Sequence, residues 1–166
     1  GVVYEDPWLA GGHNGLSNAE DPKKPEDPYP RVKALRETMR AEGVSESVPI
    51  VMAGGVWYLR EWDHWIDNPE VGPIAFQFGT RPLLTKESPI PDAWKEKLLS
   101  LKKGDIYLNR FSPTGFWSSA VENDFLRELK GREDRQIAYT MEVHGEHQVQ
   151  FPMGPRGRID AGMARR

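Results

Sequence analysis

Three short apolar runs, each closed by glycine, limit the folds open to this 166-residue chain. Gly1-Val2-Val3-Tyr4-Glu5-Asp6 leads into Ala10-Gly11-Gly12-His13-Asn14-Gly15, which reads as a glycine-rich loop. Val48-Pro49-Ile50-Val51-Met52-Ala53 closes on Gly54-Gly55, and Pro73-Ile74-Ala75-Phe76-Gln77-Phe78 closes on Gly79-Thr80. Apolar runs without alternation suit parallel strands covered on both faces. Between the first two, the residues from 16 to 30 carry Pro22, Pro25, Pro28 and Pro30 and read as a surface loop. Arg31 to Glu42 then sets Val32, Leu35 and Met39 at spacings of three and four, which predicts an amphipathic helix ended by Gly43. Leu59 to Ile66, with Leu59, Trp62, Trp65 and Ile66 on one side, predicts a second helix. Strands alternating with helices imply βαβ units and a parallel sheet.

The remainder reads differently. Pro91 to Leu101 predicts a helix with Trp94, Leu98 and Leu101 on one face. Ser119-Ala120-Val121-Glu122 has the spacing of a capping box, and Val121, Phe125 and Leu129 continue a helical stripe to Gly131. Ile137 to Gln150 reads as a hairpin or irregular arm, and the Gly-, Pro- and Arg-rich tail from Pro152 as a mobile end. The expected division is βα units over 1–90 and a helical or irregular extension over 91–166.

Composition removes several function classes. Without cysteine there are no disulfides, thiolate metal sites, iron–sulfur clusters or cysteine nucleophiles. A formal net charge of −3 argues against a general nucleic-acid binder. No apolar run approaches the roughly 20 residues that span a bilayer. The first residues lack an initiator methionine and the charge and apolar pattern of a signal peptide, so the chain reads as an internal piece of a cytoplasmic protein.

Glycine at the carboxyl end of a strand lets backbone amides approach a phosphate, because no Cβ intervenes. In α/β folds ligands gather at those ends, where helix N-termini also favour anions. Taken in order, Ala10-Gly11-Gly12-His13, Met52-Ala53-Gly54-Gly55-Val56 and Phe76-Gln77-Phe78-Gly79-Thr80-Arg81 resemble the nitronate monooxygenase family, once called 2-nitropropane dioxygenases. The continuation Leu84-Thr85-Lys86-Glu87-Ser88 and the helix starting near Pro91 extend the likeness over roughly residues 1–101. That family is similar to the flavin-dependent enoyl-acyl-carrier-protein reductases of bacteria.

The resemblance implies an α/β fold, the C-terminal part of an FMN-binding (β/α)8 TIM barrel. About three β/α units would be present, followed by a mainly helical C-terminal extension. A barrel of this kind needs about 250 residues, so the preceding strands would come from outside the chain as a necessary partner. The resemblance also implies roles. Ala53, Gly54 and Gly55 would form the turn that holds the FMN phosphate, and Gln77, Phe78, Gly79 and Thr80 would complete the cradle. Gly11 and Gly12 would approach the flavin, with His13 over its reactive face. Asn14 stands where many relatives have a basic residue, which bears on substrate preference.

The implied reaction is oxidation of alkyl nitronates, or a related small acid, with molecular oxygen. A histidine suits removal of the proton α to a nitro group because imidazole titrates near physiological pH. An NAD(P)H-dependent flavin reductase of enoyl thioesters is the rival enzyme reading. A non-catalytic truncated barrel is the rival from another class. Other features carry less. His144 and His147 fall three apart, on opposite faces of a strand, so no metal site is expected. His64 reads as a surface residue, and Trp62, Trp65 and Trp94 as core packing. Trp117, with Phe111 and Phe116, is a candidate for lining a substrate pocket. The arginines of the tail are too few for nucleic acid.

Overall fold

The computed structural model describes residues 1–17, 20–102, 104–111, 116–132, 138–139, 149–152 and 158–160. In chain order the elements are β1 (Val2–Glu5), β2 (Gly12–His13), α1 (Pro28–Ala41), β3 (Ile50–Ala53), β4 (Ile74–Gln77), α2 (Asp92–Leu99), β5 (Ile106–Asn109), β6 (Ser118–Val121), α3 (Asp124–Gly131), β7 (Ala138–Tyr139), β8 (Val149–Pro152) and β9 (Arg158–Asp160). The chain divides into two units. The first is Gly1–Gly11 with Pro25–Lys102, and the second is Gly12–Lys24 with Lys103–Arg166.

In the first unit β1, β3 and β4 form a parallel sheet in the order β1-β3-β4. Val2, Ile50 and Ile74 make one row across it, and Tyr4, Met52 and Phe76 the next. These rows face the core, where Ile50, Met52, Val32, Val71, Val56, Met39 and Trp65 are buried. Each fully buried aliphatic side chain contributes on the order of 1.5–3 kcal/mol. The opposite rows are less covered. Val3 is 56% exposed, while Val51 and Ala75 are half-buried. The apolar runs therefore signal parallel strands correctly, but this unit covers only one face of them.

Helix α1 starts at Pro28, earlier than its apolar stripe. Asp27 caps it by accepting from the Tyr29 amide at 2.9 Å, and proline occupies the first turn, where no N–H is needed. Gly43 ends it at φ +73°, and Val44 N–H returns to the Met39 carbonyl at 2.9 Å. The buried face of α1 comprises Val32, Arg36 and Met39. Arg36 is 1% exposed and donates to three backbone carbonyls, Val71 (2.7 Å), Val48 (3.0 Å) and Pro73 (3.2 Å). It thereby ties the helix to the segments that enter β3 and β4. Gly72, at φ +68°, makes room for it, since a Cβ there would lie 3.0 Å from Arg36 Nε.

Three sequence expectations change. Leu59 to Ile66 is not an α-helix. A short 3-10 turn over Leu59–Trp62 runs into further turns, and Trp65 N–H bonds the Trp62 carbonyl three residues back. The Trp62 and Trp65 rings still pack inward, 5.3 Å apart, with Trp62 against Phe76 and Trp65 against Tyr29. Ser119-Ala120-Val121-Glu122 is not a capping box but most of β6 and its exit, because β5 offers it a ladder. The cap of α3 is Asn123, which accepts from Leu126 N–H at 2.9 Å. Trp94 lies 56% exposed on α2, a helix with no buried residue.

Among its described residues the extension is also not mainly helical, strands accompanying α2 and α3. In the second unit β2, β6 and β5 make an antiparallel sheet, and β7, β8 and β9 another. Gly12-His13, expected in a loop, is the strand β2, paired with Ser119 and Ser118. The pairing of β7 with β8 agrees with a hairpin-like arm over 137–150, and β9 places a strand in the tail. His144 and His147 lie outside the described residues. Among the described residues no helix is long and apolar enough to cross a membrane, and no group of three or more His, Asp or Glu could hold a metal.

Replacing Arg36 by Met keeps the stem and removes the guanidinium, so three buried carbonyls lose their donor. The unfolding free energy from urea titration should fall by about 3 kcal/mol. A second test concerns Glu70, which accepts from Lys33 and from the Tyr29 hydroxyl, both at 2.7 Å. Lys33 and Tyr29 hold its carboxyl below the usual carboxylate range, and Glu70 in turn raises the Lys33 ammonium. A lowered carboxyl stabilises the fold above its unfolded-state value, and that contribution disappears as pH falls through the folded one. The urea midpoint of Glu70→Gln should therefore lie below wild type near neutrality and converge with it in acid.

Candidate functional site

Three loops leave the carboxyl ends of the parallel strands in the first unit. The loop after β1 is set by Asp6, whose buried carboxylate accepts from the amides of Trp8 (2.9 Å) and Leu9 (2.8 Å). Its own amide bonds the Ala53 carbonyl at 2.8 Å, and its carbonyl accepts from Ala10. Asp followed by Pro is a turn pattern in which the side chain replaces a backbone partner. This fold of the loop brings Leu9 and Ala10 against the turn that follows β3.

That turn consists of Gly54 and Gly55, at φ +89° and +71°. A Cβ on Gly54 would lie 2.8 Å from the Ala10 amide nitrogen, and one on Gly55 would lie 2.6 Å from Leu9 Cδ1. Gly54 thus needs glycine for backbone angle and for room, and Gly55 for backbone angle, since the exposed Leu9 side chain can swing aside. The turn after β4 is different. Around Gly79 a Cβ would meet nothing within 4 Å, and Gly79 and Thr80 are exposed. Among the described residues none accepts a hydrogen bond from the amides of Gly54, Gly55 or Gly79. Ala53 and Gln77 are register partners, so the β3 and β4 turns start from adjacent points of the sheet.

Arg81 adds charge here. It donates to the Trp57 carbonyl and stands over the rings of Phe78 (5.4 Å) and Tyr58 (5.3 Å), while Arg60 also stands over the Tyr58 ring, at 4.6 Å. Neither Asp6 nor Arg81 had been singled out from sequence for a role. Asp-Pro after the first strand and an arginine directly after Gly-Thr are the patterns that could have marked them. Open amides, with an arginine directly after Gly79-Thr80, are groups of the kind that suit an anion such as a phosphate.

The structure gathers Gly11, Ala53, Gly54, Gly55, Gln77, Phe78, Gly79 and Thr80 in the first unit. Gly12 and His13 belong to the second. His13 is exposed on β2, opposite Ser118, which in turn pairs with Asn109 of β5. Asn109 is buried, and its amide nitrogen donates to the Ser118 carbonyl at 3.2 Å. The histidine is therefore carried by sheet backbone rather than by a free loop. One residue further on, Asn14 N–H donates to the Trp117 carbonyl at 3.1 Å, extending the pairing.

The glycines separate strain from occupancy. Gly54→Ala should cost about 2 kcal/mol or more in urea unfolding, because it meets both an unfavourable φ and the Ala10 backbone. Gly79→Ala should change stability by less than about 0.5 kcal/mol.

No curated protein and no solved structure matches the chain. The family model for nitronate monooxygenase matches residues 6–164, a span holding all three strand-end turns and His13. The chain therefore belongs to the nitronate monooxygenase family of oxidoreductases.

Proposed function

We propose that the chain forms the last three β/α units of an FMN-binding barrel, with its C-terminal extension, and serves oxidation of alkyl nitronates by molecular oxygen. The carrying observation is the set of three neighbouring parallel strands whose carboxyl ends lead into glycine-bearing turns, the amides of Gly54, Gly55 and Gly79 having no acceptor among the described residues. Strands adjacent in the sheet in the order of the parallel strands along the chain suit a barrel. A doubly wound sheet would reverse order at a switch point. The half-covered apolar row of Val3, Val51 and Ala75 suits a face turned toward a barrel interior completed by strands from elsewhere.

The residues fit the FMN phosphate. Gly54, Gly55, Gly79 and Thr80 would present amides to it, with Gln77 and Phe78 leading into the second turn and Arg81 adding positive charge. By the family likeness Gly11 and Gly12 would approach the ring. Bound FMN supplies the two-electron oxidation of substrate and the transfer of those electrons to oxygen. His13 supplies the proton step. An imidazole nitrogen takes the proton from the carbon α to the nitro group, the C–H electron pair becomes the C=N bond, and negative charge settles on the nitro oxygens. When the substrate is already a nitronate, the same side chain holds those oxygens.

The chain, produced together with the strands that complete its barrel, is mixed with FMN, passed through gel filtration and assayed for oxygen uptake on propyl-1-nitronate without pyridine nucleotide. The expected result is retained oxidised-flavin absorbance and NAD(P)H-independent uptake. His13→Ala should keep the flavin bands and lose about 100-fold in turnover on the neutral nitroalkane. Turnover that depends on NAD(P)H would move the assignment to the enoyl-thioester type of flavin reductase. Unchanged turnover in His13→Ala would remove its role as base.

A further inference from the structure

We propose that the second unit carries an oxyanion-binding site built on Asn14, Trp117 and Arg110, distinct from the face that presents His13. The argument starts from the ladder. Gly12 pairs with Ser119 and His13 with Ser118, and the bond from Asn14 N–H to the Trp117 carbonyl continues the same register. On the other side of β6, Asn109 pairs with Ser118, so Arg110 stands beside Trp117. Directly opposed residues of an antiparallel ladder share a face, and successive residues alternate. Asn14, Trp117 and Arg110 thus form one cross-strand row, while His13, Ser118 and Asn109 form the row on the other face. The Arg110 guanidinium stands 5.4 Å from the Trp117 ring centre, as neighbours in such a row do.

Among the described residues, Asn14 and Trp117 of this row each hold a donor without an acceptor. Asn14 is 7% exposed, and its Oδ1 accepts from the Leu16 amide at 3.2 Å. That bond fixes which end of the side-chain amide is oxygen, because the reverse assignment would set two N–H groups against each other. The Nδ2 group is then left buried with no hydrogen-bond partner. Trp117 Nε1, a group that can only donate, is buried and unpartnered in the same way. A buried N–H without an acceptor is unfavourable, and native proteins retain few of them. Two such donors on neighbouring strands, with a guanidinium stacked on the indole, match a planar anion with two acceptor oxygens. A carboxylate or a nitronate has that shape and charge. Nothing in the row is acidic, so it offers no partner to a cation.

The test uses the chain with acetate as probe and chloride at equal ionic strength as control. Two-dimensional ¹H–¹⁵N spectra follow the Trp117 indole N–H, assigned by its loss in Trp117→Phe, and the Asn14 side-chain NH₂ pair. Acetate should shift both resonances saturably and chloride should not. Asn14→Asp, which replaces the donor by an oxygen of equal size, should weaken acetate binding about tenfold or more. Trp117→Phe keeps the ring and should weaken it several-fold, read on the Asn14 pair. Ser118→Ala, on the opposite face, should leave the titration unchanged. Unperturbed resonances elsewhere in the spectrum certify that each variant is folded. The absence of a saturable shift in the wild-type chain overturns the proposal. So does undiminished acetate binding in a folded Asn14→Asp or Trp117→Phe. Because this readout needs neither flavin nor turnover, it stands or falls apart from the nitronate reaction.

Discussion

Arg36 holds the first unit in register. A guanidinium with almost no solvent exposure must place its donors, and here three backbone carbonyls take them. Those carbonyls belong to the segments that lead into β3 and β4, where a parallel sheet cannot satisfy every backbone group by its own ladder. One side chain from α1 therefore closes the amino end of the sheet and fixes the height of the helix upon it. The core then has a defined seam, with Val32 and Met39 on either side of the arginine and Val71 and Ile50 beneath. The opposite, carboxyl end of the same strands is left to the loops that bear Gly11, Gly54 and Gly79. Rigidity at one end and open amides at the other would suit the phosphate site proposed for those loops.

Much of this was legible in the chain. The apolar runs at 50–53 and 74–77, the stripe of α1, and the glycine that ends it follow from period and punctuation alone. So did the family, through three short turns in fixed order. Arg36 was not legible, because a charged residue within an apolar stripe reads as a surface residue and only the carbonyls of distant segments explain its burial. The Leu59–Ile66 segment misled for the opposite reason. Its aromatic spacing suits a helix, yet packing of Trp62 and Trp65 against Phe76 and Tyr29 is met by a tighter turn. Ser119–Glu122 misled because a capping pattern is local, while β5, which pairs with it, lies elsewhere in the sequence.

The candidate site divides along the same line. Turns whose chemistry is carried by backbone, at Gly54, Gly55 and Gly79, announce themselves by residue type. Groups that act through side chains placed by tertiary pairing do not. Asp6 shapes the first loop through two amide bonds, and Arg81 reaches its position by stacking on Phe78 and Tyr58. Trp117 looked like a pocket-lining aromatic from its irregular surroundings. The ladder now gives it specific neighbours, Asn14 on one side and Arg110 on the other.

The pairing of β2 with β6 also bears on how the chain is made. Gly12 and His13 are synthesised before their partners Ser118 and Ser119, which follow about a hundred residues later, after the whole of α1, β3, β4 and α2. The second unit is therefore discontinuous by construction, with its first segment waiting while the intervening one acquires its sheet. During translation the two-residue strand that bears His13 has no ladder to join until Ser118 and Ser119 have been made.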